Sequence, residues 1–489
     1  MPRDARQKNA GAGKQRAYGG AVTLLISAAA LLALVYLLFS EGSLLLRSAL
    51  GITVLLISGH MIATANGQKV SFGLYLLGSK RGINVITSLA KRHSKLWMAF
   101  ADWGLAFSFG LFALFMFKDQ INKKTVLLGV MTIVFVLVVV LPYLPLVLSF
   151  IRIPQITESI SSSAPTQTGI SPLFYALIGV SIIGGFSLMT MLLVIYGGAS
   201  ILYTTFLFAS GFLSANPDYA LLSNQVPGVA PLIPGVTIPL FAGVASLIIL
   251  LAVHELSHGV LARIAKVRIR SLGVVLFGII PLGAFVEPDE TQVKKLAKMA
   301  QDRISIAGVS ANMAFSLLFF FVTLALLLYV LPNISTGGVF ISAVVRNSSA
   351  YNAMVPLNST ILGWNNQTIR NSFDLAKVEA SYIPGTNVSL LTDKGAFTII
   401  PSNSGTIGVV PPAQSPLEYQ VAGFFYAVAT LSFGLNFFVA IFNLLPLQGF
   451  DGWRVYENRI KNKKLLRAVS YLIIGSILAS CLPWLWIAF

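Results

Sequence analysis

Thiols are all but missing from this sequence. Cys481 is the single cysteine in 489 residues, which excludes an intramolecular disulfide and any metal site built on thiolates. Histidine is nearly as scarce, with only His60, His93, His254 and His258. Acidic residues number 17 against 34 lysines and arginines, and charged residues together make up 10% of the chain. So little charge excludes an ordinary soluble domain. What fills the sequence is apolar: 56% of residues are hydrophobic and the mean hydropathy is +0.80.

The apolar residues gather into runs of about 20, the length that crosses a bilayer as a helix. Nine such runs lie near 20–39, 44–64, 97–117, 125–149, 172–197, 241–264, 304–331, 420–445 and 466–488. They predict a multi-pass α-helical membrane protein. The first run sits behind a polar leader and lacks cleavage-site character, so it is expected to stay in place. The net charge of +17 does not point to nucleic acid, because the basic residues flank the apolar runs. That is the positive-inside pattern, and the surface it addresses is the lipid bilayer. Clusters at Arg3–Arg16, Lys69–Lys95, Arg263–Arg270, Lys294–Arg303 and Arg454–Arg467 place the N-terminus and these loops in the cytoplasm. Residues 198–240, with an apolar start at Ser200–Leu213 followed by several prolines, are expected to re-enter or lie at the interface.

One apolar run carries chemistry. His254-Glu255-Leu256-Ser257-His258 falls inside 241–264. Four residues apart on a helix, the two imidazoles share one face and can bind one ion, with Glu255 placed to activate a water on it. Ionisable groups at membrane depth are costly, so such a cluster marks function. His60 and His93, at a polar helix end and in a basic loop, read instead as snorkelling or solvated side chains. Two imidazoles leave a catalytic zinc one protein ligand short. With thiolate excluded, the third is a carboxylate or another histidine. Among the few acids, Asp102 lies in a distant apolar run, whereas Asp451 follows the run 420–445 in Asn443-Leu-Leu-Pro-Leu-Gln-Gly-Phe-Asp451-Gly452. Pro446, Gly449 and Gly452 break the helix there, which lets a carboxylate turn inward; a helix-capping Asp in a turn is the alternative.

HELSH in one apolar helix and NLLPLQGFDG after a later one resemble the site-2 protease family of intramembrane zinc proteases. Ala307-Gly308-Val309-Ser310-Ala311-Asn312 is similar to that family's small-residue motif ending in Asn. The resemblance covers about 240–489. It implies zinc bound by His254, His258 and Asp451, Glu255 as the catalytic acid and base, and Asn312 and Asn443 supporting substrate or transition state. Gly308 and Ala311 are also small enough for close helix packing. Trp453 stands where the family often has glycine.

Two further segments add expectations. Gly273–Phe285 is apolar but too short and too rich in Gly and Pro to span, predicting a re-entrant β-hairpin whose edge could hold an unwound substrate strand. From 335 to 411 hydropathy drops and short β-rich stretches appear. Their order, Val339–Val345, Ser349–Met354, Thr360–Trp364, Phe373–Tyr382, Thr386–Leu391 and Ala396–Ile400, resembles a PDZ domain, which the family carries on the extracytoplasmic side. Five N-x-S/T sequons, at Asn333, Asn347, Asn358, Asn366 and Asn387, make glycosylation a possibility there.

The expected organisation is thus an N-terminal transmembrane region at 1–170 without a legible motif, a first part of the protease core at 171–334, the PDZ-like domain at 335–411, and a second core part at 412–489. The expected activity is zinc-dependent endoproteolysis of a single-pass membrane protein's transmembrane helix, near the cytoplasmic face. Two rival readings are an intramembrane ion transporter, which internal repeats would favour, and a catalytically silent scaffold, which a missing His, Glu or Asp would favour.

Overall fold

The computed structural model describes residues 20–37, 44–68, 70–79, 82–148, 150, 172–213, 228, 232–402, 405–410 and 417–484. Six helical segments among them are long and apolar enough to cross a membrane: Gly20–Leu37, Lys123–Leu148, Phe174–Gly211, Leu240–Ile264, Lys298–Asn333 and Gln420–Phe442. These coincide with six of the nine expected spans, and the chain is a multi-pass membrane protein. The first, α1 (Gly20–Leu37), leaves Leu24 and Leu32 at least 70% exposed, apolar surface that suits lipid and not water.

The other three expected spans take other forms. The run at 44–64 is helix α2 (Leu44–Ala65), of which Ala49–Ala65 forms a shorter apolar stretch. The run at 97–117 is divided. After α3 (Ile83–Arg92), α4 (Ser94–Phe109) stops at Gly110, and α5 (Phe112–Phe117) follows. Gly110 has φ 54° and ψ −136°, a conformation open mainly to glycine. It meets a second break: Gly185, with φ 69°, interrupts the long helix α7 (Pro172–Leu213), which follows α6 (Lys123–Phe135). A Cβ on Gly110 would lie 2.7 Å from the Gly185 amide nitrogen, and Leu111 N–H donates to Ile182 C=O at 2.9 Å. Two backbones in contact leave no room for side chains, so both helices bend where they touch. The run at 466–488 contains α12 (Lys463–Ser480), and its tail beyond 484 lies outside the described residues. Ser200–Leu213 continues α7 as helix, where a re-entrant or interfacial segment was expected.

The helices that matter for the site are α8 (Leu240–Ile264), α9 (Lys298–Ala325), α10 (Leu417–Phe442) and the short α11 (Asp451–Arg459). The central core joins them to α4, α5 and α7 through Phe107, Phe117, Phe186, Val260, Ile306, Phe320, Phe433 and Tyr456.

Between α8 and α9 the chain forms an antiparallel hairpin, β3 (Ile269–Phe277) and β4 (Ile280–Pro288), turning at Gly278 and Ile279. The sheet is larger than expected. Residues 70–79, expected in a cytoplasmic loop, form β1 (Val70–Ser71) and β2 (Leu74–Ser79), and β2 pairs along β3 from Leu74↔Phe277 to Ser79↔Leu272. The signal was present in Phe72-Gly73, a two-residue turn with φ 48° and 74° that suits a tight hairpin. The strand order β1-β2-β3-β4 makes β3 central. β4 lies at one edge of this sheet and the two-residue β1 at the other.

Residues 335–402 and 405–410 build a small α+β body with its own core of Val339, Ile341, Ile361, Trp364, Leu375, Val388 and Leu390. Strands Gly395–Ile399, Val388–Thr392, Thr360–Trp364 and Val339–Phe340 pair in that order, with helices Ser349–Asn352 and Ser372–Ala380 alongside. The expected first strand is divided, since Ala343–Val344 leaves that sheet to pair with Val409–Val410.

Candidate metal centre

The site assembles from three helices and one strand. α8 supplies the pair read from the sequence, with His254 Nε2 and His258 Nε2 3.3 Å apart. α9 backs this pair. His258 Nδ1 lies 2.7 Å from Ile304 C=O, so it carries the proton and donates, leaving Nε2 with a free lone pair. Gly308 faces both rings: a Cβ there would lie 2.5 Å from His258 Nε2 and 2.6 Å from His254 Nδ1. Its small size admits the imidazoles, a sharper reason for glycine than helix packing.

Asp451 arrives from the far end of the chain. α10 ends at Phe442, and Gly449, with φ 95°, reverses the backbone. Gly452 N–H donates to Asn443 C=O at 2.7 Å, and a Cβ on Gly452 would lie 2.7 Å from Leu444 C=O. This closed loop needs both glycines. It delivers Asp451 as the first residue of α11 with its carboxylate toward the imidazoles, at 3.4 Å from His254 Nε2 and 3.4 Å from His258 Nε2. The capping alternative fails on geometry: Phe450 is the residue before α11 and no side chain caps that end. One ligand atom each from His254, His258 and Asp451 falls within 4.8 Å of the others.

Glu255 borders this triad without joining it. Its carboxylate accepts a hydrogen bond from Val286 N–H of β4 at 2.9 Å. The acid is therefore tethered to that edge strand, a partner the sequence reading missed. His254, Glu255, His258, Val286, Ser305, Asn443, Asp451 and Trp453 are among the residues that line a cleft of about 380 Å³. Asn443 is thus among the residues at the cleft. Asn312 does not line it: its amide lies 3.1 Å from His254 Nδ1. With Nδ2 toward the ring, its buried Oδ1 has no hydrogen-bond partner. Turned by 180° about its last bond, the amide places Oδ1 where it accepts from His254 Nδ1–H, satisfying both groups.

The structure thus brings His254, His258 and Asp451 together beside Glu255, and comparison with known proteins adds a family likeness. The family model of peptidase family M50 matches residues 242–482, a stretch that contains every residue of this centre. That stretch of the chain is similar to peptidase family M50, the site-2 protease family. An uncharacterized protein of Methanocaldococcus jannaschii is 28% identical over 54% of this chain and 77% of its own length. M50 proteins are membrane-embedded zinc metalloproteases, and it is that class which the matched stretch resembles. The M50 match begins at 242, so α4, α5 and α7 lie before it.

The remaining candidates fall elsewhere. Asp102 pairs with Arg303 through two bonds of 2.7 and 2.8 Å, away from the triad. The sequon asparagines Asn333, Asn347, Asn358, Asn366 and Asn387 are all exposed. Asn347 and Asn358 have φ 60° and 55°, a left-handed conformation that itself favours asparagine.

Proposed function

We propose that this chain is an intramembrane zinc endopeptidase that cuts a transmembrane helix of another membrane protein, releasing its cytoplasmic part in regulated proteolysis. The convergence of His254, His258 and Asp451 with Glu255 at the rim carries this reading. The donor set fits zinc, two imidazole nitrogens and one carboxylate. Asp451 Oδ2, buried without a hydrogen-bond donor, is an acceptor that a cation satisfies.

A zinc ion in this site supplies a Lewis acid that brings a water's pKa toward neutrality. The chain's own residues do the rest. Ile304 C=O and Asn312 hold the outer imidazole nitrogens and so fix both tautomers. Glu255 takes the water's proton and passes it to the departing amide nitrogen. The substrate helix unwinds and adds along β4, where the register places Ala284 N–H on the same edge as Val286 N–H. Asn443 lies in the cleft to support the substrate.

In this reading the N-terminus, the hairpin loop and the metal centre face the cytoplasm, following the basic clusters, and 335–411 is an extracytoplasmic PDZ-like domain whose exposed sequons are open to glycosylation. Zinc content and cleavage of a transmembrane substrate by the purified protein, compared with Glu255→Gln, test the proposal. Equal cleavage by both proteins overturns it.

A further inference from the structure

Helix α11 starts with Asp451 and is nine residues long, too short to hold its place alone. Its far end is fastened instead. Arg459 Nε donates to Asp302 Oδ2 at 2.7 Å, and its Nη2 donates to the same oxygen. Asn458 fills the other oxygen at 2.8 Å. Asp302 is 0% exposed, and a buried carboxylate is tolerable only when its oxygens are filled in this way.

The rest of the seat lies before the M50 match. Arg459 Nη1 donates to Met116 C=O at 3.1 Å and Nη2 to Gln120 Oε1 at 3.2 Å. The guanidinium sits 4.7 Å from the centre of the Phe117 ring. One turn earlier, Tyr456 shares a buried hydrogen bond with Ser187 of α7 and meets Phe109 edge-on at 5.6 Å. Asp302 is also two residues from Ile304, whose carbonyl holds His258. One end of α9 therefore references both the imidazole pair and the helix that brings the carboxylate.

We propose that residues 109–120, together with Asp302, form the seat that sets the position of Asp451, with Arg459 and Asp302 as positioning residues for the metal centre. This gives the N-terminal region a role in the chemistry that the M50 core alone does not supply. The inference rests on Asp451 being a ligand. From Asp451 to Arg459 a helix rises about 12 Å, so a small tilt at the seat is carried to the carboxylate.

The test uses the full chain, loaded with Zn(II) for affinity by chelator competition and with Co(II) for its visible absorption. Asp302→Asn and Arg459→Leu are expected to weaken metal binding about tenfold or more and to alter the Co(II) bands. Arg459→Lys is expected to restore part of the loss, and kcat to fall with KM little changed, because β4 is untouched. Asp102→Asn is the control: it breaks a comparable pair at the neighbouring Arg303 and is expected to lower the melting temperature without changing metal affinity or spectrum. If Asp302→Asn does not fold, Asn458→Ala keeps the ion pair and is expected to weaken binding about threefold. Parent affinity and spectrum in Asp302→Asn or, where that variant does not fold, in Asn458→Ala overturn the inference, as does equal weakening by Asp102→Asn. Parent affinity in Asp451→Ala overturns the ligand assignment instead.

Discussion

Replacing Gly308 with alanine adds one methyl group against both imidazoles. That carbon would sit 2.5 Å from His258 Nε2, where ordinary contact starts at 3.4 Å, so the ring must withdraw by about 0.9 Å. The ring has little freedom to do so, because Ile304 C=O holds its Nδ1 at 2.7 Å. His254 is pushed as well, its Nδ1 only 2.6 Å from the added carbon. A displacement near 1 Å at a reacting centre costs about 10²-fold in rate, equivalent to about 2.7 kcal/mol of barrier. Alanine is the better helix former by about 1 kcal/mol, so weakened α9 cannot explain a loss. The assay is zinc per chain by elemental analysis, followed by single-turnover cleavage of a transmembrane substrate, with Gly423→Ala as the control because no atom lies within 4 Å of its added carbon. Full zinc content and parent rate in Gly308→Ala would refute the packing argument.

Four further outcomes are expected. His258→Ala and Asp451→Ala should lose most of the zinc while Asp102→Ala retains it, as chelator competition would show; a zinc-tight Asp451→Ala removes the third ligand. Glu255→Gln should keep its metal, lose about 10²–10⁴ in turnover, and hold uncut substrate in pull-downs; cleavage at the parent rate ends its role as acid and base. Ala284→Pro removes an outward donor from the β4 edge and should slow cleavage with zinc unchanged, and an unaffected rate would exclude strand addition there. In a chain with Cys481→Ser, Arg346→Cys should react with an impermeant thiol reagent on intact cells and Lys295→Cys should not; the opposite labelling inverts the proposed orientation.

The sequence alone determined whatever rests on local spacing or on the solvent. His254, Glu255 and His258 were legible because an i, i+4 pair shares a helix face in any context. Six spans were legible because lipid forces long apolar runs, and the strands of 335–411 because turns punctuate them. Asp451 was reachable by scarcity, since few acids were available, but only the fold placed it beside both imidazoles and away from the cap position. Only tertiary structure revealed Val286 as the partner of Glu255 and Gly308 as the space for two rings. The same holds for β2 on the outer side of β3, the mutual break at Gly110 and Gly185, and the seat of Arg459 on Asp302, Met116 and Gln120. Each joins residues far apart in the chain through contacts of a few ångströms. A pattern of residue types carries no record of such meetings, because they exist only once the helices have packed.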